Sequence, residues 1–382
     1  MCKIISFFSN KGGTGKTTLT YNIGADLSFN HNQKVLVIDA DSQMNLTASM
    51  FGLSDTIEYS EENNKKWKEY LDKYLSFVDL VDDEKNKTIF SYQTHRENNK
   101  ENIDLFNIFN NNNIVFDLLL ADEDYFDFEN TINSYLRDFN LRKEAVKYFS
   151  NITKKIKELS KNYDFILIDC SPSANSVLNA FFILSSNYFI CPLRCDFFSY
   201  QSIGKLKRII ANWEGLFKIF QTDDYQNCID MNEKFIGIVV SETKKIVVNE
   251  TKTNNTTKNK QRNITAASQK WVESVNNSIK NYITSAIGRE KSITEEEFNY
   301  VFEGAMPFII TDKTCNYTGV MKNIIDQAGV PLILLKKEIS EQFYKYKDGK
   351  GRNILKEKTY KENFNQYKEA IRFISQGLIK LK

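Results

Sequence analysis

Histidine is almost missing from the 382 residues, with only His31 and His95 present. Two imidazoles leave little room for a multi-histidine metal centre or a histidine general base. The six cysteines (Cys2, Cys170, Cys191, Cys195, Cys228, Cys315) are dispersed without framework spacing, which suits free thiols in a reducing cytoplasm. No apolar run approaches the ~18–20 residues of a membrane-spanning helix. Net charge is only +2, so any affinity for nucleic acid must come from a local patch. With four prolines and charged residues at 26%, the composition is that of an ordinary soluble globular chain. Its length can bury a sizeable core.

What is present begins at once. Lys3–Ser9 is a short apolar run with the length of a buried strand, and it runs straight into a glycine-rich loop, so no leader is expected. A helix over about Thr17–Asn30 follows, with Leu19, Ile23 and Leu27 on one face, then a second buried strand, Lys34–Ala40. Strand, loop, helix and strand at this spacing make a βαβ unit, hence a parallel sheet with a right-handed crossover. Further apolar runs predict strands at Ile103–Phe109, Phe165–Asp169, Tyr188–Leu193, Lys234–Ser241 and Leu332–Leu335. Helical spacing predicts helices ending near Leu159, over Asn175–Leu184, Tyr200–Phe217 and Ala266–Ala286, and at the C-terminus. The expected fold is α/β: one doubly wound, mostly parallel sheet of P-loop NTPase type over 1–382, with helices on both faces. Two insertions are expected in it, a charged helical one at about 55–101 and a basic, partly mobile one at about 244–300.

The chemistry sits at the strand ends. Lys11-Gly12-Gly13-Thr14-Gly15-Lys16-Thr17-Thr18 fits G-x-x-x-x-G-K-[ST] once the first glycine is relaxed to Asn10. Glycines let consecutive backbone N–H groups converge on phosphate oxygens, and the next helix aims its positive end there. Lys16 is placed to reach the β/γ-phosphates of a nucleotide, and the Thr17 hydroxyl to bind Mg²⁺. Lys11 is a second cation that an ordinary P-loop does not need. It has the logic of a charge supplied to a neighbouring subunit's nucleotide. Asp39 and Asp41 close the second strand, and Asp169 closes Phe165–Asp169. Carboxylates beyond the strand C-termini of an open parallel sheet lie where ligands bind, and can hold Mg²⁺ directly or through water.

These residues carry a resemblance. KGGTGKTT resembles the deviant Walker A motif of the ParA/MinD ATPases, VLVIDADSQMNLT their switch I segment, and YDFILIDCSPS their Walker B strand and switch II. PLRCDFFSYQSIGKL and FIGIVVSE follow in the order of the ParA, or partition, branch. The resemblance implies a slow ATP hydrolase, using ATP and Mg²⁺, that closes into a sandwich homodimer around its nucleotides. Such a dimer binds DNA non-specifically and positions DNA, as in plasmid or chromosome partition, or another cargo. It is stimulated by a ParB-like or other cargo-adaptor protein, and is cytoplasmic and nucleoid-associated when ATP-bound. Residue by residue, the resemblance makes Lys11 the lysine that contacts the partner's nucleotide, and makes Lys16 and Thr17 ligands of phosphate and Mg²⁺. It gives Thr18 the α-phosphate, Asp41 the attacking water, Asp39 a place near the metal, and Asp169 the Walker B role. Pro307 then lines the adenine pocket. Two departures stand in switch I, where Ser42 and Met44 replace the usual Pro and Gly and put the local backbone in question.

Other patterns keep two readings. Residues 244–291 hold ten Lys/Arg against three acids. Lys252, Lys258, Lys260 and Arg262 in it are either a DNA-backbone contact or part of a solvated mobile loop. The C-terminal stripe Phe364, Tyr367, Ile371, Ile374, Leu378 reads as core packing. A membrane-binding tail is the alternative, and would make the protein a MinD-like membrane-associated regulatory ATPase.

Overall fold

The structure is a computed structural model. It describes residues 1–51, 90–93, 114–121, 124–194, 196–218, 231–241, 245–249, 260–264, 266–284, 290–314, 331–334 and 357–382, with single positions between 68 and 76. Among the described residues eight strands form one sheet: β1 (Lys3–Phe7), β2 (Val35–Ala40), β3 (Phe90–Gln93), β4 (Ile114–Leu119), β5 (Phe165–Cys170), β6 (Tyr188–Arg194), β7 (Lys234–Ser241) and β10 (Ile309–Thr314). Their spatial order is β10-β7-β6-β1-β5-β2-β4-β3. All neighbours are parallel except β3 on β4, which is antiparallel. β8 (Lys245–Asn249) and β9 (Lys260–Ile264) make a separate antiparallel ribbon. The doubly wound P-loop NTPase fold is what the strand–helix alternation predicts.

The central strands β2 and β5 are buried along their whole length. That is why VLVIDA and FILIDC read as continuous apolar runs and do not alternate. Helix α1 (Lys16–His31) packs on one face, close enough that a Cβ on Gly24 would lie 3.1 Å from Val37. Helices α2 (Asn45–Phe51), α3 (Asp124–Arg137), α4 (Arg142–Leu159), α5 (Val177–Ser185), α6 (Phe197–Lys218), α7 (Ala266–Thr284), α8 (Glu295–Val301) and α9 (Glu357–Lys380) complete the described helices. Phe149 of α4 meets Phe181 of α5 and Phe217 of α6, each at 5.1 Å between ring centroids. Full burial of such a ring contributes about 1.5–3 kcal/mol, so this cluster ties three helices to one another. In α9 the stripe Phe364, Tyr367, Ile371, Ile374 and Leu378 is buried in the core, against α1 and β10, as the core-packing reading expects. No helix among the described residues is long and apolar enough to cross a membrane.

Four expectations need correction or fall outside. Leu332–Leu334 is a buried 3-10 turn and not a strand. An apolar run this short fits either structure, and Pro331, whose carbonyl accepts from Leu334 N–H, starts the turn. The last parallel strand is instead β10, whose sequence IITDKT turns polar halfway because it lies at the sheet's edge. The stretch 251–263 was expected to be a mobile loop, but its described end belongs to β9, with Lys260 opposite Asn249 and Arg262 opposite Val247. The strand expected at Ile103–Phe109 lies outside the described residues, and the helical insertion expected at about 55–101 lies mostly outside them, the longest described piece of it being the strand β3. Besides β5, the strand that pairs with β2 is β4.

Candidate functional site

The glycine loop joins β1 to α1 with a backbone only glycine adopts easily. Gly13 and Gly15 have φ of 70° and 88°, the left-handed region that strains residues with a Cβ. Among the described residues nothing lies within 4 Å of where a Cβ on Gly12 or Gly15 would stand, so the loop is open at these two positions. The loop is pinned from β7: Ser241 Oγ lies 3.0 Å from the Thr14 carbonyl and 3.1 Å from that of Leu193. Arg194, at the end of β6, brings Nη1 within 3.7 Å of the Cβ position on Gly13. Lys16 is buried at the first position of α1, and its charge acts on both Asp41 and Asp169.

Asp39 and Asp169 are register partners on β2 and β5, and both are fully buried. Among the described residues no donor stands in good hydrogen-bond geometry to either oxygen of Asp169, although the Thr17 and Thr20 hydroxyls lie close enough to act on its carboxyl. Burial pushes its carboxyl up to about 7, against the opposing pull of Lys16 and the Thr17 and Thr20 hydroxyls. A buried, unsatisfied carboxylate is costly unless something pairs with it. Beside a cationic phosphate loop and the Thr17 hydroxyl, the missing partner fits a hydrated divalent cation. Asp39 is different. Its Oδ2 accepts from Thr47 N–H at 2.8 Å and from Thr47 Oγ1 at 2.6 Å, and its Oδ1 from Asp41 N–H at 3.3 Å. The carboxylate thus caps α2. Burial raises its pKa well above the ordinary value, and the nearby Asp169 raises it further.

Asp41 begins the loop between β2 and α2. Gln43 N–H donates to its Oδ1 at 3.1 Å, and Met44 N–H to its carbonyl at 2.8 Å. Burial raises its pKa, while the Gln43 N–H and Lys16 lower it. Met44 stands where the family usually has glycine and adopts φ of 52°. The loop therefore keeps a glycine-like turn with a side chain in it, at a strain of roughly 1–2 kcal/mol.

Lys11 Nζ is 2.5 Å from Asp196 Oδ2, just beyond the end of β6. The Trp271 indole of α7 donates to the Asp196 carbonyl at 2.8 Å, so the basic insertion holds the residue that holds Lys11. Lys16, Thr17, Thr18, Asp39, Asp41 and Asp169 all gather at the C-terminal edge of the sheet, as predicted. Pro307 does not. It precedes β10, a strand parallel to β7. Since β7 meets the phosphate loop through Ser241 at its C-terminal end, Pro307 sits at the far end of β10, away from the nucleotide loop. Of the basic residues, Lys260 and Arg262 are on β9, while Lys252 and Lys258 lie outside the described residues. Lys291 is drawn inside instead, 3.0 Å from Glu214 and 3.2 Å from Glu233. No motif announces Asn179, whose amide fastens the loop after β5 through Ser171 and Ser173.

A parallel sheet with a glycine loop after β1, a buried lysine opening α1 and an acid ending β5 defines a P-loop nucleotide-binding protein. Residues 2–218 match a family model described as an AAA domain, over half of the chain. The protein belongs to that family, of ParA/MinD type. It is 27% identical over 209 residues to the sporulation initiation inhibitor protein Soj of Bacillus subtilis (strain 168), a match over 54% of this chain and 64% of that one. The chain therefore spans less than two thirds of that relative. Over 48 residues it is 52% identical to the virulence plasmid ParA family protein pGP5-D of Chlamydia psittaci, covering 13% of this chain and 18% of the other. The solved structure of pNOB8 ParA bound to nonspecific DNA superposes with a TM-score of 0.54 at 16% identity, over all of both chains. That likeness is one of fold. Together the donors at this site fit ATP with Mg²⁺.

Proposed function

We propose that the protein is a ParA-like ATPase that closes into a homodimer on ATP, binds DNA without sequence preference, and positions DNA or another cargo through an adaptor. The reading rests above all on Asp169, whose two oxygens lack a well-placed donor among the described residues and are buried beside Lys16 and the Thr17 hydroxyl. In this scheme the loop N–H groups and Lys16 hold the β/γ-phosphates, Thr18 the α-phosphate, and Thr17 with Asp169 the cation. Mg²⁺ supplies charge neutralisation on the β- and γ-phosphates when bound. Asp41, turned into the site by its own loop, orients the attacking water. Asp39 supports that loop from behind. Lys11 is donated to the partner's nucleotide. DNA contact falls to the basic insertion, a reading supported by the DNA-bound state of the pNOB8 fold relative and by Lys260 and Arg262 on β9.

Co-sedimentation with ATP tests the whole. The Asp41→Ala protein, which keeps ATP, is expected to pellet with DNA and not with anionic liposomes. Changing Lys252, Lys258, Lys260 and Arg262 to Gln is expected to weaken DNA binding and to flatten its salt dependence by up to about four counterions. Sedimentation with liposomes alone would favour the MinD-like reading. An unchanged salt slope would return the insertion to a solvated loop.

A further inference from the structure

Helix α3 touches both loops that face the nucleotide, through two side chains that the reading above leaves without a role. Tyr125 is 1% exposed, and its hydroxyl donates at 3.2 Å to the carbonyl of Ala40, the residue between Asp39 and Asp41. Just before it, Ala121 N–H donates at 3.2 Å to Thr47 Oγ1, which itself donates to Asp39. One turn beyond Tyr125, the Glu129 carboxylate accepts a short hydrogen bond from Ser176 Oγ. Ser176 is the N-cap of α5 and also accepts from Asn179 N–H at 3.0 Å. Asn179 in turn holds Ser171 and Ser173 in the loop that follows Asp169. The path is closed at both ends: the loop of Asp41, Tyr125, α3, Glu129, Ser176, Asn179, the loop of Asp169.

We infer that α3 is a strut that sets the two nucleotide-facing loops against each other, with Tyr125 and Glu129 as positioning residues for Asp41 and Asp169. Tyr125 suits the task. A phenol is a stiff lever with two torsions, its ring is anchored in the core, and its hydroxyl stays protonated because burial holds its pKa well above the ordinary value. Ala40 is fixed in the sheet on one side and leads into Asp41 on the other. A hydrogen bond to its carbonyl therefore sets the direction in which Asp41 leaves β2. Glu129 plays the same part for the second loop, since the hydroxyl it holds is the cap from which α5 and Asn179 are built. A displacement of about 1 Å in a group that orients a nucleophile can cost on the order of a hundredfold in rate, so modest bonds far from the phosphates are enough to matter.

The inference rests on the ATPase reading for its kinetic arm and stands without it for its structural arm. Tyr125→Phe removes one oxygen and leaves the ring. Glu129→Ala breaks the second contact, and Glu129→Gln keeps an acceptor for Ser176. Loss of one such bond is expected to lower kcat roughly five- to tenfold in Tyr125→Phe and Glu129→Ala, with ATP affinity changed by less than about twofold. Glu129→Gln is expected to restore most of the rate. Amide hydrogen exchange of the nucleotide-free protein supplies the second readout: each variant should speed exchange in both 40–47 and 171–176. A local contact would speed only the loop it touches, and that result, or an unchanged kcat, overturns the strut. If the wild-type chain binds ATP without hydrolysing it, the ATPase reading fails, and exchange alone decides the strut.

Discussion

The ends of β2 and β5 lie side by side, in register, and each carries a fully buried aspartate at its next-to-last position. At β2 the chain satisfies its own carboxylate, because Thr47 and Asp41 supply three donors from the next ten residues. At β5 none of the described residues offers Asp169 a donor in good geometry, and only the Thr17 and Thr20 hydroxyls of α1 stand near it. Both strands were built from the same kind of apolar run, so the strands do not explain the difference. The loops that follow do. After Asp39 the chain turns at once into α2 and returns N–H groups to the acid. After Asp169 the loop is drawn off towards α5 by Asn179 and leaves the acid facing Lys16. A satisfied carboxylate supports structure, and one left without well-placed donors beside a cationic loop is the one available to a ligand.

The largest effect should follow from removing the Asp169 carboxylate. Asp169→Asn is expected to abolish the Mg²⁺ dependence of ATP binding, worth about 2–5 kcal/mol for a buried charge contact, or at least roughly 30-fold in affinity. Calorimetry with and without Mg²⁺ checks it. The pH behaviour carries a sign. The carboxyl is raised from an ordinary 3.8 to about 7 in the folded, nucleotide-free protein. Between those values the native state therefore binds more protons than the unfolded chain, and its stability falls as pH rises through the window. Below about pH 4 this residue contributes nothing either way, and above about pH 7 its buried charge weighs fully against the fold. Asp169→Asn should accordingly raise the melting temperature of the nucleotide-free protein at alkaline pH and leave it little changed in acid. A loss of stability at both ends would mean that Asp169 has a partner in the protein.

A smaller effect is expected at the other acid. Asp39→Asn keeps an oxygen for Thr47 and forfeits the longer bond to Asp41 N–H, so in acid, where burial keeps the carboxyl protonated, stability should fall by about 1 kcal/mol in denaturant unfolding. At alkaline pH removal of the buried charge should offset that loss. Its Mg²⁺ dependence should persist. If Asp39→Asn loses Mg²⁺ dependence as fully as Asp169→Asn, the two strand ends are equivalent, and Asp39 must leave Thr47 to reach the metal.

The same contrast explains what was legible. The placement of the glycine loop, Lys16, Asp41 and Asp169 at the strand ends was readable because a P-loop motif sets residue types at fixed spacing after strands, and the strands themselves are unbroken apolar runs. Tyr125, Asn179 and Thr47 were not. Each works through a hydrogen bond to a segment distant in sequence or to plain backbone, and nothing about an isolated Tyr or Asn announces that partner. The capping role of Asp39 is invisible for the same reason, since a strand-end acid reads alike whether its oxygens are used or free. β10 escaped because an edge strand needs apolar residues along only part of its length. Leu332–Leu334 misled because a short buried apolar run serves turn and strand equally.

The smallest effect concerns Asp196, which pairs with the Lys11 cation. Lys11 and Asp196 are each 31% exposed, so their ion pair contributes at most about 1 kcal/mol. In the proposed dimer the lysine has to leave that pair to reach the facing nucleotide, and the pair opposes closure by the same small amount. Asp196→Asn keeps the shape of the side chain, and the Trp271 contact survives because it is made to the backbone carbonyl. In an Asp41→Ala background that prevents turnover, Asp196→Asn should therefore tighten the ATP-dependent dimer by roughly two- to fivefold, at most the equivalent of that ion pair. Lys11→Ala in the same background should dismantle the dimer, because it removes the charge that the proposed interface relies on. Light scattering across a protein dilution series separates the two. A dimer weakened by Asp196→Asn would give the acid the opposite role: Asp196 would present the lysine to the partner, and α7, through Trp271, would support closure and not restrain it.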